Sequence, residues 1–302
     1  MLQYQIQQFD APLEIMEPQK MISLDDYHLE SIQRISEKIR QHTLIIFEEQ
    51  KLHEFFPLAS GVLLKWKEGY FLVLAGHTKT TTIGNNQLYT IFENDFIAIL
   101  GRRINNKRGK GIAVDDDKID CSIIKLTDSC KGEIIEKGYK FFNLGDVNID
   151  HDDLPGMKYL VFGFPITKVK QKYCSPLDYS AQALSYQTII LNNNKLFKQL
   201  KLIEGVNFMV PYKIKKIFKT GNRKRVRGPE PTGLSGCGLW CLPNNMDIEN
   251  NFYSLAYYPV GILTEHDKKN SLFIGTRLAI IANGIWQKFD PTAPRSRKLV
   301  LR

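Results

Sequence analysis

A serine enclosed by glycines is the feature that most constrains how this chain can fold. Residues 233–238 read Gly-Leu-Ser-Gly-Cys-Gly, and the apolar residues Leu239 and Trp240 follow at once. Glycines on both sides of Ser235 permit a tight turn that presents backbone N–H groups to a developing oxyanion. A serine hydroxyl is a poor nucleophile without an adjacent base, so the run predicts a reactive site only if a histidine meets Ser235 in the folded chain.

A histidine and an aspartate stand beside apolar runs elsewhere in the sequence. His77 follows the strand-like run 71–75, and Asp120 directly precedes a second such run, 121–126. The three aspartates at 115–117 are alternatives to Asp120, but consecutive like charges are usually solvated. The apolar run that follows Asp120 fixes its position against a sheet, and we therefore expect Asp120 to be the partner of His77.

In these three blocks the sequence resembles the trypsin-like serine peptidases of the chymotrypsin fold, in particular the intracellular prokaryotic type. The resemblance covers about residues 43–286 and is supported by 160–165 and 258–262, which resemble later core strands of that family. The order histidine, aspartate, serine is that of this family and differs from that of subtilisins and α/β-hydrolases. The spacing from His77 to Asp120 is close to the roughly 45 residues between these positions in the chymotrypsin arrangement. The spacing from Asp120 to Ser235 exceeds the roughly 93 residues found there, which implies a longer loop before Ser235.

The resemblance implies a role for each residue of the site. Ser235 would be the nucleophile, His77 the general base and then acid, and Asp120 the group that holds the imidazole tautomer. The N–H groups of Gly233 and Ser235 would form the oxyanion hole. No metal or cofactor is implied.

Alignment of the motifs also implies a primary specificity pocket. Its floor would be formed by Pro229 and Glu230, and one of its walls by Val260, Gly261 and Ile262. A buried carboxylate at Glu230 would favour a basic side chain before the scissile bond.

Four positions depart from the family pattern. Gly76 stands where alanine is usual, a small-for-small change that we expect to leave His77 in place. Cys237 and Gly238 replace a glycine and a proline, which alters the strand behind the nucleophile but keeps both oxyanion donors. Leu234 stands where secreted members carry an acidic residue that pairs with a newly cut N-terminus. Activation by that ion pair is therefore not expected.

Short runs of β type from residue 43 onward predict an all-β fold of two six-stranded-type β-barrels, with the site in the cleft between them. We expect an N-terminal arm and helix over 1–42 and a trypsin-like domain over 43–302, divided into barrels at 43–150 and 151–302. The N-terminal helix is predicted from a cap at Ser23 and an apolar face, and the C-terminal helix from a second such face. These faces consist of Leu29, Ile32, Ile35 and Ile39 in the first helix and Leu278, Ile281 and Ile285 in the second. Other predicted features are a basic-to-acidic loop over 102–118, a turn at 192–194, and strands at 96–100 and 187–191.

The cysteines and the N-terminus predict a cytoplasmic protein. The chain has five cysteines without a regular framework, which suits a reducing compartment and free thiols. Cys237 and Cys241 are expected to be core thiols rather than metal ligands. The first residues do not resemble a signal peptide, and no apolar run approaches the ~18 residues that a membrane span needs.

The net charge of +9 is concentrated in one segment. Residues 212–228 contain eight basic and no acidic residues, between Lys213 and Arg227. We expect a solvated surface loop. The alternatives are a surface that contacts nucleic-acid phosphates or an acidic partner, and a processing site.

The leading hypothesis is a serine endopeptidase that cleaves a protein substrate through an acyl-enzyme, with a regulatory protein partner as a further expectation. In prokaryotes, compact intracellular members of the resembled class often act with partners in stress or antiviral responses. The alternative is a catalytically weak or inactive protease-like module that binds a protein or nucleic-acid partner. An α/β-hydrolase fits worse, because its nucleophile motif would need glycine at position 237, where this chain has cysteine, and because the chain lacks alternating helices. Its histidine would have to be His266, with Asp247 or Glu249 among the possible acids.

Overall fold

The fold is described from a computed structural model of the chain. It covers residues 24–51, 54–78, 87–92, 95–105, 119–153, 156–171, 179–214, 217–218, 225–226, 228–243, 256–290 and 292. Several predicted features lie outside these residues: the N-terminal arm, the helix cap Ser23, the aspartates at 115–117, Asp247, Glu249 and most of the basic segment.

The described residues form four α-helices, two short 3₁₀-helices at Leu144–Asp146 and Ile166–Lys168, and eighteen strands. Helices α1 to α4 span Leu24–Arg40, Asp128–Glu136, Asn194–Gln199 and Leu278–Phe289. Strands β1 to β8 span Thr43–Lys51, Glu54–Trp66, Gly69–Ala75, Leu88–Phe92, Asp95–Ala98, Gly101–Asn105, Cys121–Leu126 and Phe142–Asn143. Strands β9 to β18 span Lys158–Gly163, Val169–Gln171, Tyr179–Ala181, Leu184–Thr188, Asn207–Pro211, Ile217–Phe218, Arg225–Val226, Gly238–Leu242, Tyr258–Asp267 and Leu272–Arg277.

Two curled antiparallel sheets make up most of the structure. The first follows the order β5-β4-β1-β2-β3-β7-β6, with the short β8 pairing in parallel to β2. The second follows the order β12-β9-β16-β17-β18-β13. The pairs β10-β11 and β14-β15 form separate hairpins. These two half-barrels confirm the predicted all-β architecture.

Strand β3 is buried on both faces, which explains its uninterrupted apolar sequence. Leu72 and Leu74 belong to the core inside the first sheet, whereas Phe71 and Val73 belong to the core shared by the two sheets and the terminal helices. Alternate side chains of a strand point to opposite faces, so both sets are buried at once. The chain that continues from β3 to His77 therefore leaves a rigid support.

The two terminal helices agree with the predicted apolar faces. Ile32, Ile35 and Ile39 of α1 are buried, as are the three predicted residues of α4. In α1, the Oγ of Ser36 lies 2.6 Å from the Oγ of Ser185, so the helix contacts the edge strand β12 of the second sheet. No helix in the described part of the chain has the length and apolar character needed to cross a membrane.

Three local predictions differ from the structure. Helix α2 was not predicted, although Thr127 caps it by accepting a hydrogen bond from the N–H of Cys130. The predicted turn at 192–194 is the start of α3, where the Asn193 side chain accepts from the N–H of Leu196. Strand β12 begins earlier than the predicted 187–191 because its register is set by pairing with β9. In each case a cap or a partner strand decides the boundary.

Candidate active site

The structure brings together the side chains of His77, Asp120 and Ser235. The Nδ1 atom of His77 lies 2.5 Å from Oδ2 of Asp120, and its Nε2 atom lies 3.0 Å from the Oγ of Ser235. The other carboxylate oxygen of Asp120 accepts a hydrogen bond from the backbone N–H of His77 at 2.7 Å. With a proton on Nδ1, the ring donates to the aspartate and its Nε2 can accept from the serine hydroxyl.

The register of β3 and β7 accounts for the contact between His77 and Asp120. These strands are antiparallel, and Ala75 at the end of β3 lies opposite Cys121 at the start of β7. The residue after β3 and the residue before β7 therefore emerge at the same end of the sheet. The N–H of Gly76 donates to the carbonyl of Asp120 at 2.9 Å and closes this end of the ladder.

Gly76 fits this corner more closely than the sequence suggested. A Cβ atom at this position would lie 2.8 Å from Oδ1 of Asp120 and 3.0 Å from the backbone nitrogen of Cys121. Alanine at 76 would therefore require a small shift of the Asp120 carboxylate and of the adjoining backbone.

Two consecutive β-turns carry Ser235. The N–H of Leu234 donates to the carbonyl of Pro231, and the N–H of Cys237 donates to the carbonyl of Leu234, each at 3.0 Å. Each turn has a glycine at its third position, with φ of 86° at Gly233 and 83° at Gly236. Such positive φ angles favour glycine. At Gly236 a Cβ atom would also lie 2.0 Å from the carbonyl oxygen of Ser60, so this spacing of glycines is a requirement of the turn.

The second turn is tied to both sheets. The carbonyl of Ser235 accepts from the N–H of Ser60 in β2 at 3.0 Å, and the N–H of Gly236 donates to the carbonyl of Leu263 in β17 at 2.7 Å. Ser60 also accepts, through its Oγ, from the N–H of Phe164 just after β9. Ser235 therefore lies at the junction of the two half-barrels, opposite the His77 that the first sheet supplies.

The N–H groups of Gly233 and Ser235 are oriented by the carbonyls that precede them. The carbonyl of Thr232 accepts from the N–H of Ile166, and that of Leu234 accepts from Cys237. The C=O and N–H of one trans peptide point in opposite directions, so the N–H groups of Gly233 and Ser235 point away from these partners. Within the described residues, neither N–H donates to a backbone or side-chain acceptor. Both N–H groups are therefore free to donate hydrogen bonds to an oxyanion.

Asp120 raises the pKa of His77. The hydrogen bond from the ring to Asp120 is the main cause, partial burial of the ring opposes it, and the negative charges of Asp120 and Glu265 add to the rise. The imidazole is 39% exposed, whereas the carboxylate is only 17% exposed. The ring is therefore open to solvent and to a substrate on one side, while its partner is shielded.

Arg103 is a residue of the site that sequence reasoning missed. Its Nε donates to the Oγ of Ser122 at 2.7 Å, and its Nη2 donates to the carbonyl of Thr78 at 2.6 Å. It thus joins the segment after His77 to the strand after Asp120. The sequence predicts a charged loop over residues 102–118, but the structure places Arg103 on β6, where pairing with β7 defines a strand. The following residues 106–118 lie outside the described residues.

The predicted pocket residues are only partly at the site. Val260 and Ile262 are 3% and 2% exposed and belong to the two cores. Gly261 pairs with Leu239 on one side and Arg277 on the other, so this part of β17 forms the interior of the sheet rather than a pocket wall.

Pro229 and Glu230 differ in burial. Pro229 is half-buried and Glu230 is exposed. The physical basis for a preference for basic side chains was a buried carboxylate, and the exposed Glu230 does not provide one.

The described cysteines contribute no ligand set to the site. Cys121, Cys130, Cys237 and Cys241 are buried free thiols. Burial raises the pKa of the Cys237 thiol to about 12, so this neighbour of Ser235 is protonated at neutral pH. No cluster of His, Cys, Asp and Glu suited to a metal ion occurs among the described residues.

Comparison with known proteins supports the fold. No protein-family model and no curated protein matches the sequence. The structure of GrC aligns with a TM-score of 0.50 at 14% identity, over 84% of this chain and 95% of that chain. The thermostable serine protease AL20 from an extremophilic microorganism aligns with a TM-score of 0.48 at 10% identity, over 84% and 98% of the two chains. The scabies mite inactivated protease paralogue S-D1 gives 0.46 at 13% identity, over 85% and 95%. Together with the two half-barrels, the match to GrC shows that this chain has the chymotrypsin fold.

Proposed function

We propose that the protein is a serine endopeptidase that hydrolyses peptide bonds of a protein substrate through an acyl-enzyme. The observation that carries this proposal is the 3.0 Å contact between Nε2 of His77 and Oγ of Ser235, with Nδ1 of the same ring against Asp120. This arrangement meets the geometric requirement for a nucleophile, a base and an orienting acid.

The chemistry follows from these contacts. The Oγ of Ser235 attacks the scissile carbonyl while its proton passes to Nε2 of His77. The oxyanion that forms accepts hydrogen bonds from the N–H groups of Gly233 and Ser235. The imidazolium then returns the proton to the leaving amine, and the C–N bond breaks to give the acyl-enzyme. Water, activated by the same imidazole, attacks the ester, and Ser235 regains its proton as the carboxylic acid product leaves.

A fluorophosphonate probe tests the proposal directly. The probe should form one covalent adduct, which peptide mapping by mass spectrometry should locate at Ser235. His77→Gln should slow the labelling strongly because the base is lost. The control is His42→Gln, at a buried histidine that contacts Lys140 and Tyr257. This change leaves the base in place, so labelling should continue. A folded protein that takes up no probe, or an adduct on another residue, would reject the proposal.

Labelling should depend on pH through His77. Only the neutral imidazole accepts a proton, and its pKa is raised above the ordinary value near 6.5. The labelling rate should therefore fall about tenfold per unit as the pH drops below a midpoint higher than 6.5. Glu265→Gln removes one of the charges that raise this pKa and should move the midpoint downward. A rate that stays constant between pH 5 and pH 8 would contradict the role of His77.

Arg103 should act as a positioning residue for the same site. Arg103→Met removes both hydrogen bonds while keeping an apolar stem, and we expect a loss of about tenfold in kcat with little change in KM, because a slightly misplaced base lowers turnover. Arg102→Met is the matched control, since neighbouring strand residues point to opposite faces and Arg102 lies over the ring of Phe289. The pH midpoint distinguishes positioning from stability. A variant with lower thermal stability, unchanged kcat and an unchanged midpoint would show that Arg103 serves only the fold.

A further inference from the structure

Three aromatic rings lie together behind the turn that carries Ser235. The ring of Tyr212 lies 4.3 Å from that of Phe273 and 6.0 Å from that of His266, and the rings of His266 and Phe273 are 5.2 Å apart. Tyr212 and Phe273 are 1% and 2% exposed. These rings, which we call the aromatic cluster, therefore fill their space rather than line an open cavity.

The aromatic cluster is joined to both walls of the site. The hydroxyl of Tyr212 donates to the carbonyl of Pro229 at 2.7 Å, which ties the ring to the segment leading into Ser235. Tyr212 and Phe273 share a core with Leu234 and Cys237, the residues on either side of the Ser235-Gly236 pair. On the opposite wall, His266 pairs with Phe273 across β17 and β18. The rings thus occupy the gap between the segment 229–235 and the end of β17.

The same gap is where the side chain next to the scissile bond would enter. Pairing of β16 with β17 ends at Gly238 and Ile262, and beyond Leu263 the β17 edge that faces Ser235 has no partner strand among the described residues. An extended peptide can add to such an edge while its carbonyl lies against Ser235. The side chain of the substrate residue that carries this carbonyl then points between Pro229 and His266, toward the aromatic cluster.

We propose that this site accepts only a small side chain, that of glycine, alanine or serine, on the residue whose carbonyl Ser235 attacks. The inference rests on the proposed peptidase function and specifies its substrate class. A larger side chain would have to displace buried rings from a densely packed core and break the bond from Tyr212 to Pro229. This preference replaces the basic side chain that the sequence suggested through Glu230.

A matched set of peptidyl phosphonate probes tests the inference. The probes share one peptide and carry the side chain of alanine, leucine, phenylalanine or lysine at the reactive centre. The alanine probe should label Ser235 at least about 100-fold faster than the phenylalanine probe, since steric rejection by a packed pocket is worth that much. Equal rates, faster reaction of the leucine, phenylalanine or lysine probe, or no reaction of the alanine probe would overturn the inference.

Enlarging the pocket gives a second readout. Phe273→Ala should raise the rate of the leucine and phenylalanine probes relative to the alanine probe by about tenfold or more. Phe208→Ala removes the same ring volume from the same core at a position packed against Gly261 and Gly275, and should leave the ratio unchanged. If Phe273→Ala does not fold, Phe273→Leu provides a smaller enlargement with the same expected direction. A ratio that is unchanged in a folded Phe273 variant would overturn the role of the aromatic cluster.

The simple fluorophosphonate separates the two proposals. It carries no side chain at the reactive centre, so it should label Ser235 whatever the size of the pocket. Absence of that label rejects the peptidase, whereas labelling by the simple probe together with fast reaction of the phenylalanine probe rejects only the small-residue preference.

Discussion

Ser235→Ala should lower the turnover of a peptide substrate by about six orders of magnitude, to the level at which only binding and the oxyanion donors assist hydrolysis. In the proposed mechanism the hydroxyl of Ser235 forms the acyl-enzyme, and its loss leaves His77 with no alcohol to activate at this position. The measurement is kcat/KM on a peptide cleaved by the wild type. The same variant should show no fluorophosphonate label.

The fold should tolerate this change. The bonds that hold the turn use the backbone of Ser235, Gly236 and Cys237, and the serine side chain contacts His77 at the protein surface. Thermal unfolding should therefore be close to that of the wild type. Ser36→Ala, on α1, is the matched control and should retain full activity. Substantial turnover in a pure Ser235→Ala preparation would contradict the acyl-enzyme mechanism.

Asp120→Asn should lower kcat by about four orders of magnitude while leaving the site assembled. The carboxylate oxygens of Asp120 accept hydrogen bonds from the backbone N–H of His77 and from its ring. An asparagine has one acceptor oxygen, and if this oxygen keeps the backbone bond, its NH₂ group faces Nδ1. The ring then carries its proton on Nε2 and cannot accept one from Ser235.

The control for Asp120→Asn is Asp128→Asn, an exposed carboxylate paired with Lys131 at the start of α2. This change should leave kcat unaltered. KM should change little in Asp120→Asn, because the aspartate does not reach the substrate. A loss smaller than about tenfold would show that Asp120 supports the structure of this corner but does not set the tautomer.

Some of the fold could be predicted because its strands are defined locally. The predicted run 121–126 coincides with β7, and the apolar residues that follow the serine turn in the sequence lie in β16. Each is an apolar run bounded by polar or glycine residues, and burial on both faces of the strand makes such a run recognisable. The meeting of His77, Asp120 and Ser235 was predicted for a related reason, since each residue lies next to such a run or in a glycine-rich turn. Their catalytic roles are the proposal that the substitutions test.

Other features depend on contacts that no local pattern contains. The sequence predicts a charged loop at Arg103, because its partners Thr78 and Ser122 become its neighbours only when β6 pairs with β7. Alignment of the motifs placed the pocket wall at Val260, Gly261 and Ile262. The sequence does not show which residue of β17 lies beside the turn that carries Ser235. The bond from Gly236 to Leu263 identifies that residue.

The sequence by itself determined the secondary-structure class, the turn chemistry around Ser235 and the identity of the three side chains expected to meet. These properties follow from periodicity, glycine conformation and residue type, which act over a few neighbouring residues. Only the tertiary structure decided what fills the space beside Ser235. Tyr212, His266 and Phe273 come from three separate segments, and whether their rings leave a pocket or close it depends on how those segments pack.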